Sequence, residues 1–222
     1  MSLSGGFASA AATAAAGNVT GSITQAIGKP LEGLNGLTSS STHSDINWVD
    51  FNYPPLLRLI HFNIDELPSA LTGVVRCFNI SFQLTSFICG ISLVNTLILI
   101  VSVQAPFRWL LQSAIHALIL PAAALLIFYS GYRGVAEPDA KLIWRFKVGQ
   151  PVLALLYFLL AILPVGPVNG LAKLGQTHGS FYWMVVILLE SGLWLINCGL
   201  AAWNTVRAHR LESSSAPPAT RF

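Results

Sequence analysis

Four apolar stretches, about 79–103, 109–132, 148–168 and 181–203, dominate the chain. Each is close to the roughly 20 residues that a helix needs to cross the hydrocarbon core of a bilayer. Lipid offers no water to backbone N–H and C=O groups, so a spanning segment must satisfy them internally, and stretches of this length become helices. The expected fold is an all-α integral membrane protein with four transmembrane helices, occupying residues 77–205. Composition agrees: 54% of residues are hydrophobic and 9% are charged, and mean hydropathy is +0.64. Outside the spans, 222 residues leave only an N-terminal region and a short tail at 206–222, too little for a second globular domain.

The basic residues set the expected orientation. Lys29, Arg58 and Arg76 precede span one. Arg133, Lys141, Arg145 and Lys147 lie between spans two and three, and Arg207, Arg210 and Arg221 follow span four. Only Arg108 and Lys173 fall on the opposite side. Cytosolic segments concentrate Lys and Arg, so both termini are expected in the cytosol. Aromatic residues fall where interface belts would place them, with Trp109, Tyr182 and Trp183 on the far side and Tyr129, Tyr132, Trp144 and Trp203 on the cytosolic side. The formal charge of +3 then records topology and contact with anionic headgroups on the cytosolic leaflet. Nucleic acid is not an expected partner.

The connections are short. Residues 104–107 barely turn the chain, so spans one and two form an antiparallel hairpin, and 170–180 leaves little room for a domain between spans three and four. Pro121 falls mid-span and is expected to kink helix two, whereas Pro164 and Pro167 sit where they end helix three. No internal repeat is visible, which argues against an inverted-repeat transporter.

Residues 1–47 are rich in Ser, Ala, Thr and Gly. The Ala-rich run at 7–16 lacks the basic flank of a signal peptide, and Lys29 is the lone basic residue for a transit peptide to use. Two readings stand: a low-complexity tail without fixed structure, and a helix with Val19, Ile23, Ile27, Leu31 and Leu34 on one side and uncharged polar residues on the other. The second is the pattern of a lipid-packing sensor.

Residues 48–76 form an interfacial segment. Leu56, Ile60, Ile64, Leu67, Leu71 and Val74 fall within about 80° of arc at helical spacing, opposite Arg58, His61, Asp65 and Thr72. The pattern predicts a helix in the cytosolic headgroup plane, split at Pro68, serving as an anchor or as a wedge. Arg58 and His61 are then candidate headgroup contacts.

The same segment reads Asn52-Tyr53-Pro54-Pro55, then Ile60-His61, then Asp65-Glu66-Leu67-Pro68. Together with four spans, a short first loop, a proline inside span two and an aromatic exit from that span, it resembles the secretory carrier membrane protein family from about Asn47 to Arg210. The resemblance implies two cytosolic termini and a non-enzymatic role in post-Golgi and endosomal membrane traffic, shaping or tethering membrane and recruiting trafficking proteins. It also implies headgroup contact by the loop after span two. Family members usually begin that loop with an aromatic-Tyr-Arg-Pro motif. Here Tyr129 matches, while Ser130 and Gly131 stand in place of Arg and Pro. Contact is therefore expected from Tyr129, Arg133, Lys141, Arg145 and Lys147. The Asn-Pro-Phe repeats found in many animal members are absent, as is an obvious coiled coil.

Catalytic constellations are not legible. The five histidines show no metal-ligand spacing, the three cysteines form no Cys-x-x-Cys, and no phosphate-binding glycine loop is present. No cofactor or metal is expected. Asn18 and Asn79 begin glycosylation triplets, but one is expected in the cytosol and the other at the membrane boundary.

Ionisable and amide side chains inside spans are costly and mark structure or function. At 1.5 Å per residue from the far side, Asn95, His116 and Glu190 lie about 12, 10 and 13 Å deep. Glu190, Asn197 and Asn204 recur every seven residues, so span four carries a polar stripe expected to face the bundle. Glu190 is expected to meet His116 or Asn95 across a helix interface. The alternative function class is a small transporter, channel or accessory subunit of a larger complex, in which this buried cluster of Asn95, His116, Glu190 and Asn197 would be ion-coupled.

Overall fold

The structure, a computed structural model, describes residues 46–164, 166–176 and 180–215. The tail at 19–34 lies outside them. Four helices carry the fold: α1 (Ser69–Val103), α2 (Arg108–Ala136), α3 (Ala140–Ile162) and α4 (Phe181–Ser215). All four are long and apolar enough to cross a membrane. A 3-10 helix at Leu171–Gln176 interrupts the connection between α3 and α4. Each helix packs chiefly on its sequence neighbours, and α4 closes the ring against α1. The result is an up-down bundle whose inward residues are Val75, Ile88, Phe128, Phe146, Tyr157 and Ala201, while leucines, valines and phenylalanines such as Phe87, Leu118, Leu155 and Leu188 face outward. That inversion is what a lipid solvent allows, because acyl chains are as apolar as leucine.

Helix ends follow local chemistry. Gln104 takes a left-handed conformation, φ 53°, and closes α1 by donating its N–H to the Leu99 carbonyl. Asp139 caps α3, its Oδ1 accepting from the Lys141 and Leu142 amides at 2.8 and 3.4 Å, which starts that helix eight residues before the apolar stretch. Pro164 ends it at Ile162 rather than at 168, because the residue before a proline is held out of the α region. Pro121 and Pro151 are both carried inside continuous helices. α1 begins ten residues before its apolar stretch and α4 runs past Trp203 to Ser215, so both project beyond the bundle on the side of the chain ends, here the terminal side. Arg207 Nη1 joins the two projections by donating to the Gly73 carbonyl at 3.4 Å.

The helix expected over residues 56–67 is not formed. The Leu59 and Ile60 amides, which a helix would direct to the carbonyls of Pro55 and Leu56, turn to Tyr53. The chain instead reverses: Tyr53 and Ile60 pair as an antiparallel bridge, and the Leu59 and Ile60 amides both donate to the Tyr53 carbonyl at 2.9 Å. The Tyr53–Pro54 peptide is cis and Arg58 has φ 47°. Ile60 and Leu67 are buried, but Leu56 is 97% exposed and Phe62, outside the expected apolar arc, packs inward.

Candidate functional site: an aromatic cap and a buried polar ladder

Residues 46–68 fold over the terminal ends of α1 and α2 as a cap. Phe62 sits among the rings of Tyr53, Phe128 and Tyr132, with centroids 5.0 to 5.2 Å away, and Phe82 stacks on Phe128 beneath them. Contacts of this kind add about 0.5 to 1.5 kcal/mol per pair beyond area burial. Polar groups lock the cap in register. The Phe62 amide donates to Asn52 Oδ1 at 2.8 Å, Tyr132 Oη donates to the Asn63 carbonyl at 3.3 Å, and Tyr53 Oη donates to Asn79 Oδ1 at 2.7 Å. Asn52 and Tyr53, the first two residues of the motif, therefore staple the reversed chain to itself and to α1.

Trp48 and His61 form the inner latch. Trp48 lies edge-on to His61, Tyr129 and Tyr132, donates its indole N–H to Glu137 Oε1 and stacks under Arg133, 5.1 Å from its guanidinium carbon. Arg133 Nε in turn donates to Glu137 Oε2 at 3.2 Å. His61, expected at the headgroups, is 3% exposed and faces inward because the reversal at Pro54 rotates it off the polar side. Its Nε2 is 2.8 Å from Glu66 Oε2 and its Nδ1 2.9 Å from the Asp50 carbonyl. Burial opposes charge on the ring, but the Glu66 carboxylate and the Asp50 carbonyl outweigh it and raise His61 above its usual value. Burial pushes the other way on Glu66, and hydrogen bonds from His61 and Asn63 leave it below the ordinary carboxylate range.

The expected headgroup residues divide. Arg133 and the half-buried Tyr129 hold Trp48, and Lys147 is half-buried. Arg58 is exposed at the tip of the cap's turn. Lys141 and Arg145, also exposed, flank the 64% exposed Trp144 on the first turns of α3 and line an open groove of about 530 Å³ with it. Two cations beside an indole at the start of a span suit lipid phosphates and the glycerol level.

A polar ladder runs through the bundle. Toward the far side, Glu190 is 1% exposed; Asn95 of α1 donates to its Oε1 and Asn169 donates to its Oε2 at 3.1 Å. Asn169 reaches the interior because the connection after α3 folds back, with Gly166 at φ 55° making the turn and Ser191 Oγ donating to the Asn169 carbonyl at 2.9 Å. Lys173 covers this end, its Nζ donating to the Gly166 carbonyl at 2.7 Å and lying 5.3 Å over Trp109. One level on, Asn197 accepts from Ser81 Oγ at 2.8 Å and donates to Thr85 Oγ1 at 2.9 Å, and Thr85 Oγ1 is 2.7 Å from Tyr157 Oη. Asn204 then donates to the Cys77 carbonyl at 3.3 Å. His116 stands apart from Glu190, lining a cavity of about 10 Å³ with Cys89, Ser113 and Trp194. That is room for about one water.

Trp48, Glu137 and Asn169 were not singled out by sequence, and Glu66 was read only as part of the pre-span motif, without its partner His61. Glu137 carried a usable signal, lying four residues after Arg133, where oppositely charged side chains meet on a helix. Asn169 carried none, because its role depends on the fold of a loop. Among the described residues no group of three His, Cys, Asp or Glu could hold a metal.

The family model described as the SCAMP family matches residues 50–215, which begin in the cap and end with α4. The chain belongs to the SCAMP family. SCAMP proteins are tetraspan membrane proteins of vesicle trafficking, and the four spanning helices here fit that description. No curated protein and no solved structure matches the chain. Against the family's loop pattern, Gly131 has a packing reason: a Cβ there would come within 2.7 Å of Phe146 Cε2 and closer still to Cδ2.

Proposed function

We propose that this SCAMP protein is a non-enzymatic vesicle component of the post-Golgi and endosomal pathway, with both termini in the cytosol, that shapes or tethers membrane and recruits trafficking proteins or further copies of itself. The observation that carries the reading is the gathering of the cap, the Lys141–Trp144–Arg145 surface and both described chain ends at one end of the bundle. In this reading that end carries the contacts with anionic headgroups and protein partners. Arg58, Lys141 and Arg145 make the headgroup contacts in this reading, while Arg133, Tyr129 and His61 support the cap from within.

The ion-coupled alternative draws on Glu190, a carboxyl buried at membrane depth. Asn95 and Asn169, which each donate to one of its carboxyl oxygens, favour an interhelical clamp over a site awaiting an ion. Fluorescence microscopy of a tagged copy tests the proposal: a moving punctate pattern near the Golgi is expected. Confinement to one organelle, with flux lost in Glu190→Gln while the protein stays folded, would transfer the assignment to the transporter class.

A further inference from the structure

The cap carries apolar side chains that the bundle does not use. Between the bridged residues Tyr53 and Ile60 the chain runs Pro-Pro-Leu-Leu-Arg-Leu, and Leu56, Leu57 and Leu59 are 97, 66 and 54% exposed. Single exposed leucines need no explanation, but three on one turn form a patch that calls for a cover.

Tyr53 fixes the height of this turn. Its hydroxyl donates to Asn79 and accepts from Gln83 Nε2 at 3.3 Å, and its ring packs 5.9 Å from that of Phe82. Asn79 opens the apolar stretch of α1, and Gln83 lies one turn inside it. The turn's azimuth follows from the same contacts. Gln83 shares its exposed helix face with Ile80 and Phe87, 45 and 60% exposed, which at spacings of three and four residues form the lipid-facing side of α1. The base of the turn therefore stands beside the outer face of α1, level with the start of its apolar stretch. Tyr53 also gives Gln83 a hydrogen-bond partner at a depth where an unpaired amide is costly.

We infer that the Pro54–Leu59 turn is a wedge inserted into the lipid leaflet on the terminal side, with Leu56, Leu57 and Leu59 among the upper acyl carbons and Arg58 turned back toward the phosphates. Arg58 sits between the leucines, and a long cationic side chain can return its charge to the headgroups while its stem stays in the apolar layer. The insertion rests on the proposed function only for calling that leaflet cytosolic.

Site-directed spin labelling of the full chain in phosphatidylcholine–phosphatidylserine vesicles tests the wedge. In a background with Cys77, Cys89 and Cys198 replaced by alanine, labels are placed by Leu56→Cys and Leu57→Cys, with Phe87→Cys as the lipid reference and His209→Cys as the water reference. The labelled leucines are exposed, so their replacement removes no packing within the protein. Collisions with oxygen are expected to rise, and collisions with a polar nickel chelate to fall, toward the values at Phe87. Nickel collisions matching those at His209 would overturn the wedge. So would protection from both reagents, which would mean a protein partner or a second copy covers the leucines. Neither readout depends on where the protein travels in a cell, so a failure of insertion is separable from a failure of the trafficking role.

Discussion

Replacing Glu190 with leucine should loosen the bundle, whereas glutamine should nearly spare it. The carboxylate is 1% exposed and accepts from two amides that are themselves buried, Asn95 on α1 and Asn169 in the connection after α3. Leucine is the better solvent match for a membrane interior, yet it would strand both donors. Interhelical hydrogen bonds in membrane bundles are worth roughly 0.6 to 1.7 kcal/mol each, so losing two costs about 1 to 3 kcal/mol. For a chain of this size that corresponds to a fall of about 5 °C in melting temperature. Glutamine keeps the shape and one acceptor oxygen, and rotation of the Asn95 amide can present its oxygen to the new N–H₂, so both contacts survive. Thermal unfolding of purified protein in lipid nanodiscs should therefore rank wild type and Glu190→Gln together, with Glu190→Leu lower. Equal stability of Glu190→Leu and wild type would refute the clamp, and so would equal losses in the two variants.

Three further outcomes are expected. Gly131→Ala should destabilise by about 1 to 3 kcal/mol, because its Cβ drives into the buried Phe146 ring, whereas Gly90→Ala, with open space around it, should be neutral or stabilising by up to about 1 kcal/mol; parallel melting curves check the contrast. His61 is raised in the fold, so the stability it contributes is fully present below its ordinary value and fades as pH rises through the raised one, while the stability from the lowered Glu66 is lost only as pH falls through that group's own value. The melting-temperature gap between wild type and His61→Gln should therefore shrink from about pH 6 to about pH 8, and a gap that widened would contradict the latch. Protease added outside intact vesicles of cellular orientation should cut neither an N-terminal nor a C-terminal tag; loss of either tag would reverse the assigned orientation.

The spans were legible because an apolar run of about 20 residues has one stable solution in lipid. Their ends were less so: Asp139 starts α3 by a capping rule that hydropathy does not register, whereas the stop at Pro164 was legible as a proline though not to the residue. The depth arithmetic brought Asn95, His116 and Glu190 to one level. In the structure Asn95 bonds Glu190 and His116 bonds neither, because depth is a single coordinate and azimuth decides contact. Thr85, Ser81 and Tyr157 were invisible for a related reason, since hydroxyls in spans are common and become partners only when helices are docked. The pre-span segment was misread because apolar spacing alone cannot distinguish a helix from a chain that doubles back. Arg58, in a left-handed conformation with φ 47°, and the bridge between Tyr53 and Ile60 break the helical path there.

The connection after α3 folds inward, and that of α1 to α2 is four residues long, so the described far-side surface is little more than helix ends and the short Leu171–Gln176 turn. Among the described residues no domain stands on that face by which soluble contents of the compartment beyond it could be grasped. In the trafficking role proposed above, selection among passengers would then run through neighbours in the plane of the membrane, by thickness, lipid composition or span-to-span fit.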